Sequence, residues 1–413
     1  MDGKKRHLFN KINKLLNLFP VVVIFGVRQC GKSTLARQIR PDWQYFDLEN
    51  HQDFSLINDD SSLFFANNPN HLIIDEAQKS PVLFETLRGV IDQNRESKGR
   101  FILSGSASFD LIKNVSESLA GRVATVELQP FKCSEYLEKD LSPFFEIFNQ
   151  KISIENIDSL KKLECRIETN VMTDFFLKGG YPEPILHHDP EFHSLWMQNY
   201  FDQYINRDVR SLFPKLDLIK YRRVLQMLSQ LNGTIVNKAE VAKSIEANQN
   251  SVKDYIDIIA GTYFWRNLPA YITSKIKTTQ KLPKGHFVDS GLALYLQNIL
   301  NKQDLQRSPY LGRFFEAFAA EEVIRGIHMS QAVNVQVSHL RTKAGGEIDL
   351  IVEGSFGLLP IEIKYGSSTS KSKLKFLHSF IELHNLPYGV LINNSNRVQM
   401  ITDKIIQIPI GAI

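Results

Sequence analysis

Only three cysteines, Cys30, Cys133 and Cys165, occur in the chain. Their odd number and their spacing exclude a disulfide framework and a zinc-type ligand set, and a reducing, cytoplasmic setting fits best. Also lacking is any apolar run near the ~18 residues that a membrane-spanning helix needs, so no membrane association is expected. The basic run Lys4-Lys5-Arg6 does not lead into a secretory signal, because Leu8, Ile12, Leu15 and Phe19 recur at helical spacing with Asn and Lys between them. Charge of one sign is not in excess either. With 49 Lys and Arg against 45 Asp and Glu, the net charge is +4, which permits nucleic-acid contact through local patches without requiring it. What remains is an ordinary globular composition, 43% hydrophobic and 23% charged over 413 residues, long enough for two or three domains.

Against this background one segment stands out. Gly26-Val-Arg-Gln-Cys-Gly-Lys-Ser33 matches the phosphate-loop pattern G-x-x-x-x-G-K-[ST], and it follows the apolar run Val21-Val-Val-Ile-Phe25. A buried strand, a glycine loop and a helix starting at Ser33 are expected in that order. Gly26 and Gly31 let the backbone curl so that N–H groups from Arg28, Gln29, Cys30 and Gly31 through Thr34 face phosphate oxygens, with the helix N-terminus adding partial positive charge. Lys32 is expected to neutralise the β- and γ-phosphates of ATP, and the Ser33 hydroxyl to ligate Mg2+. Cys30, beside a helix N-terminus, is a candidate reactive thiol if it is partly exposed.

Phosphoryl transfer also needs a carboxylate on the metal and a group to orient water. His71-Leu-Ile-Ile-Asp-Glu76 supplies both: an apolar strand ends in Asp75, expected in the Mg2+ shell, and Glu76, expected to polarise water. A third strand, Arg100-Phe-Ile-Leu-Ser-Gly-Ser106, ends in small polar residues where α/β folds place ligand contacts. Ser104 and Ser106 are candidate γ-phosphate or water sensors. Arg122, in Ser118-Leu-Ala-Gly-Arg122, is a candidate arginine finger, with Arg207 and Arg210 as alternatives.

These stretches, together with Gly179-Gly-Tyr-Pro182, Arg207-Asp-Val209 and Phe287-Val-Asp-Ser-Gly291, resemble the bacterial and archaeal AAA-type (AAA+) P-loop ATPases, related to the signalling STAND group, that carry a C-terminal restriction-endonuclease-like domain. The resemblance implies ATP hydrolysis and association with DNA. Self-association is expected as well, since an arginine supplied by a neighbouring copy commonly completes such sites, with a ring as one arrangement.

The remainder divides accordingly. Residues 142–168 read as helices or an insertion, 175–184 as a Gly-Pro turn region, and 192–212 as a long helix whose Trp196, Tyr200 and Tyr204 are core rather than ligand contacts. Residues 221–268 have the look of a winged-helix unit, with helices over 221–231, 237–243 and 250–259. The last of these carries Asn248, Gln249, Asn250, Ser251 and Lys253 around its start, types suited to bases and phosphates, although Asp254 and Asp257 oppose phosphate.

The C-terminal third holds a second group: Glu316 on a helix, Asp349 on a strand opened by Glu347, and Glu362 and Lys364 on one face of the next strand. It resembles the PD-(D/E)XK nuclease pattern, although Ile348 stands where the motif name has Pro. The resemblance implies Mg2+ on the carboxylates and a lysine that activates water, and it favours DNA binding over actual cleavage.

The expected architecture is therefore α/β: a P-loop core with a parallel sheet over residues 1–135, a helical lid or linker over 136–215, a winged-helix-like domain over 216–300 and a nuclease-like domain over 301–413. The expected function is a Mg2+-dependent ATPase that binds, remodels or translocates DNA, branched DNA included. The competing expectation is a nucleotide-controlled signalling or defence switch acting through protein partners.

Overall fold

The computed structural model describes residues 3–106, 115, 117–272, 276 and 281–413. Two compact units result: residues 1–131 with 261–263, and residues 132–260 with 264–413.

The first unit is built on five strands, β1 (Val21–Gly26), β2 (Gln44–Asp47), β3 (Leu72–Asp75), β4 (Phe101–Ser106) and β5 (Val123–Leu128). Their order is β2-β3-β4-β1-β5, every pair parallel. Parallel strands covered on both faces read as continuous apolar runs, and β1 and β3 do so. Val21, Val23, Leu72, Ile74, Phe101 and Leu103 pack with Leu83, Phe84, Leu87 and Ile91 of the helix Pro81–Gln93 in one buried core. This topology inserts β4 between the P-loop strand β1 and the acidic strand β3, so Ser104 and Ser106 end beside Asp75 and Glu76.

In the second unit, helices cover residues through the long helix Pro190–Gln203, which continues as a π-helix, Tyr204–Val209. Trp196 and Tyr200 stack at 4.7 Å, Tyr204 stacks on Phe264 at 3.8 Å, and the Tyr204 and Tyr221 hydroxyls pair at 2.7 Å. These aromatics are core, as expected. The turn region expected over 175–184 is narrower. A helix, Thr169–Lys178, runs into it, because Phe175 and Phe176 are buried, and it ends where Gly179 takes a φ of +75°. The Gly180 N–H donates to Asp289 Oδ2 at 2.7 Å, and Asp289 Oδ1 caps the helix Ser290–Tyr295 through Leu292 N–H at 2.9 Å. A Cβ on Gly179 would lie 2.3 Å from the Asp289 carboxylate, so two distant glycine motifs are one packed junction.

The helix Leu218–Gln230, β6 (Thr234–Ile235), the helices Lys238–Ser244 and Gln249–Gly261, β7 (Trp265–Leu268) and β8 (Lys284–Phe287) follow in chain order. Their small antiparallel sheet has the order β6-β8-β7. The last sheet is mixed: β9 (Gln336–Arg341), β10 (Glu347–Gly354), β11 (Gly357–Ile363), β12 (Gly389–Asn393), β13 (Gln399–Met400) and β14 (Ile405–Pro409), ordered β13-β14-β12-β11-β10-β9. The helix Lys375–Leu383 lays Leu377, Phe380 and Ile381 on Ile348, Ile351 and Leu391.

Candidate functional site: a phosphate loop and a carboxylate–lysine cluster

The first site lies at the carboxyl ends of β1, β3 and β4. Gly26 has a φ of +150°, and a Cβ there would lie 2.0 Å from the Leu128 carbonyl oxygen, so only glycine lets β1 turn so close to β5. Gly31 enters the helix Lys32–Ile39 at a φ of +92°. The Lys32 ammonium is buried and donates to the Val27 carbonyl at 2.9 Å and the Gly26 carbonyl at 3.3 Å. Ser33 is half-buried; Arg28 is also half-buried, while Gln29 and Thr34 are exposed.

Asp75 is the hub of this site. Its Oδ1 accepts from the Ser104 hydroxyl at 2.6 Å and the Glu76 N–H at 3.0 Å, and its Oδ2 accepts from the Tyr45 hydroxyl at 2.8 Å. The Ser33 hydroxyl donates to the same carboxylate. Burial alone would raise the Asp75 pKa, yet these donors hold it below the ordinary aspartate value, so the group is anionic at neutral pH. A serine hydroxyl on a buried, anionic aspartate beside a buried lysine is a donor set that fits Mg2+ between Ser33 and Asp75.

Glu76 follows in a left-handed conformation, with a φ of +52°. Such backbone is uncommon for a non-glycine residue and clusters at functional sites. Its carboxylate is bound by the Gln78 amide, which also donates to the Ser106 hydroxyl at 3.0 Å. Ser104 thus meets Asp75, and Ser106 meets the Glu76–Gln78 pair.

Arg122 forms a two-point pair with Asp92, at 2.8 Å for each nitrogen. Arg207 and Arg210 are exposed on the second unit. Cys30 corrects its expectation: it is 0% exposed, its Sγ donates to the Leu128 carbonyl at 3.3 Å, and burial pushes its thiol pKa up. It is a packed core atom rather than a reactive thiol.

Three residues escaped the sequence reading. Tyr45 and Gln78 orient Asp75 and Glu76, and the buried Arg6 donates to the Cys30 carbonyl at 2.9 Å and the Gln129 carbonyl at 2.6 Å, bracing the loop from behind. The short aromatic strand around Tyr45, ending in Asp47, was the available signal for the first.

The second unit holds the other group. At residues 248–253, Asn248, Gln249, Asn250 and Lys253 are exposed at the start of the helix Gln249–Gly261, and Ser251 is half-buried; Asn248 Oδ1 caps the helix by accepting the Ser251 N–H at 2.7 Å. On the mixed sheet the four C-terminal residues converge. Lys364 Nζ lies 2.7 Å from Glu362 Oε1 and 3.6 Å from both Asp349 Oδ2 and Glu316 Oε1. A bulge between Ile348 and Ile351 carries Asp349, the kind of irregularity that re-aims a side chain. Its Oδ2 accepts the Ile363 N–H at 2.9 Å.

A fifth charge, missed from sequence, comes from β8: Lys284 Nζ donates to Asp349 Oδ1 at 2.8 Å and to Glu347 Oε1 at 3.0 Å. Burial works against its charge, but Asp349, Glu347 and Glu316 hold its pKa above the ordinary lysine value. Burial and the Asp349 carboxylate push Glu362 up to about 8 and Glu316 up to about 7. The expected Mg2+ does not fit this arrangement, because two ammonium groups, Lys284 at 2.8 Å and Lys364 at 3.6 Å, already stand against the Asp349 oxygens and would repel a cation. Among the described residues, no group of three or more His, Cys, Asp and Glu side chains is disposed to hold a metal ion.

Comparison with known proteins matches three segments of the chain. Residues 18–137 match an AAA domain family, 170–303 a domain of unknown function (DUF8612) and 311–413 another (DUF4143). An uncharacterized protein of Mycobacterium tuberculosis is 27% identical over 99% of this chain and 84% of its own length. One of Methanocaldococcus jannaschii is 26% identical over 66% of this chain and 63% of its own. Among solved structures, a Walker-type ATPase of Pyrococcus abyssi is 13% identical with a TM-score of 0.41, over 70% of this chain and 94% of that one. No described helix is long and apolar enough to cross a membrane. The phosphate loop and the parallel sheet both fall within residues 18–137, the stretch that matches the AAA domain family.

Proposed function

We propose that this protein is a Mg2+-dependent ATPase that couples nucleotide hydrolysis to work on DNA. The observation that carries the ATPase reading is the convergence of Ser33, Ser104, Tyr45 and the Glu76 N–H on the buried Asp75 carboxylate, next to the buried Lys32. Nucleotide phosphates take the backbone N–H groups of residues 26–34, and Lys32 exchanges the Gly26 and Val27 carbonyls for phosphate oxygens. When bound, Mg2+ neutralises charge developing on the transferred phosphoryl group. Glu76 accepts a hydrogen bond from the attacking water, its carboxylate aimed by Gln78, while Ser106 links that pair to the end of β4. An arginine from a neighbouring copy completes the site, with Arg122, Arg207 and Arg210 as the candidates; Arg207 and Arg210 are exposed and Arg122 is paired with Asp92.

The DNA reading is supported by the second unit. Its order of helix, strand, helix, helix, strand, strand with the sheet β6-β8-β7 supports a winged-helix reading. The exposed Asn248, Gln249, Asn250 and Lys253 sit where such a helix presents its reading edge. The C-terminal domain is read as restriction-endonuclease-like in fold and as a DNA-binding rather than a metal-cleaving module.

Steady-state ATP hydrolysis, without DNA and with single-stranded, duplex, forked and four-way-junction DNA, tests this. Stimulation by one structure, weakened in a Lys253→Glu variant, is the expected result. A slow rate that ignores all four DNAs overturns the DNA part and moves the reading to a nucleotide-timed signalling switch.

A further inference from the structure

Asp349 sits at the centre of a buried group whose charges come from four different elements of the second unit. Glu316 is on the helix Leu311–Met329, Asp349 and Glu347 on β10, and Glu362 and Lys364 on or just past β11. Lys284 is the odd member, since it belongs to the small three-stranded sheet, 65 positions before Asp349. Its side chain is 6% exposed and that of Asp349 4%.

The delivery of Lys284 is built into the backbone. Ala270, just past β7, bridges to His339 of β9; the Tyr271 N–H donates to the His339 carbonyl at 2.7 Å and the His339 N–H to the Pro269 carbonyl at 2.9 Å. The His339 ring bonds the Leu282 carbonyl at 3.0 Å, two residues before Lys284. The strand that carries Lys284 is therefore stitched to the strand beside Asp349.

The Lys284 ammonium stands against the carboxylate expected to hold a divalent cation. Lys284 lies 2.8 Å from Asp349 Oδ1, whose other oxygen is held by the Ile363 N–H and faces Lys364. Glu362 gives one oxygen to Lys364, and its second, Oε2, is buried with no hydrogen-bond partner. A buried carboxyl oxygen left unsatisfied is available to a ligand once its proton leaves, and two ammonium groups already supply the countercharge that a cation would bring.

We propose that Lys284 is a built-in countercharge standing in for a divalent cation on Asp349, so that the C-terminal group is a metal-free ionic lock joining the three-stranded sheet to the mixed sheet. The proposal is independent of the nucleotide site and goes beyond the reading of that domain as a DNA-binding module. It predicts that metal and lysine compete. Removing the lysine charge opens Asp349 and Glu362 to a cation, with the free Glu362 Oε2 as part of the new ligand set.

The test is Mn2+ binding to the full chain without nucleotide, followed by the loss of the free-ion paramagnetic resonance signal. Wild type, Asp349→Asn, Lys284→Met, Lys284→Gln and Lys284→Met/Asp349→Asn are compared, so that sites elsewhere cancel. Wild type is expected to show no Mn2+ site that Asp349→Asn removes. Lys284→Met and Lys284→Gln are each expected to gain a site that the double variant lacks. An Asp349-dependent site already present in wild type overturns the proposal, as does a folded Lys284 variant with none. Should both variants lose cooperative melting in chelator, recovery on adding Mn2+ is the expected result, and its failure overturns the proposal equally.

Discussion

Asp75 has four donors around it, three of them side-chain hydroxyls, and each does work that a point change can remove. Tyr45→Phe deletes the hydroxyl at 2.8 Å while keeping the ring stacked under Arg37. A hydrogen bond to a charged acceptor contributes about 1.5 kcal/mol, so ATP turnover should fall roughly tenfold. The sign of the pH effect follows. These donors depress the Asp75 pKa, so losing one raises it, and the acid limb of the kcat/KM profile should move to higher pH in Tyr45→Phe. An unchanged limb would mean that Asp75 is not the titrating group. Glu76→Gln should lower turnover by about 10²–10⁴-fold with nucleotide affinity preserved, because a water-orienting carboxylate acts in the chemical step. Cys30→Ala should leave turnover insensitive to peroxide in both forms, since the thiol is enclosed.

At the scale of elements, legibility in the sequence tracked locality. The loop Gly26 to Ser33 and the strand ending in Asp75-Glu76 are contiguous patterns whose chemistry and geometry travel together, so both were readable. The Glu362-x-Lys364 pair was readable because strand alternation alone puts both on one face. Tyr45 and Lys284 were not, because each reaches its carboxylate from a neighbouring strand or sheet, and only pairing brings them there. The same holds for the ion pair of Lys132 and Glu322, 2.9 Å apart, both at most 1% exposed, 190 positions apart in the chain. Cys133 N–H also donates to Glu322 at 3.2 Å. Lys132→Met removes the nearer of two cations from that carboxylate, leaving Arg325 Nη1 3.7 Å from its other oxygen, and should cost about 3 kcal/mol in chemical denaturation. Lys132→Met/Glu322→Leu should recover much of the loss, a pattern that a merely crowded site would not give.

For the whole molecule, the raised carboxyls of the C-terminal cluster set a pH dependence. Glu316 and Glu362, at about 7 and about 8, hold protons in the folded chain that the unfolded chain releases above its ordinary carboxyl range. Their contribution to stability is full below about pH 4.3 and is lost as pH rises through those folded values. Asp349, Glu347, Lys284 and Lys364 are the charged groups facing them. The melting temperature should therefore decline between about pH 6 and pH 9, and Glu362→Gln, which cannot release a proton, should flatten that decline. An equal slope in both proteins would place the titration elsewhere.

The most direct measurement is a paired one on the nucleotide site: Mg2+-ATP affinity and single-turnover phosphate release for wild type, Lys32→Ala and Glu76→Gln. Wild type is predicted to bind and hydrolyse, Lys32→Ala to lose binding, and Glu76→Gln to bind as wild type does while releasing phosphate far more slowly. Equal phosphate release by wild type and Glu76→Gln, or undiminished nucleotide binding by Lys32→Ala, would contradict the assignment of this loop and its acidic strand as an ATP-hydrolysing centre.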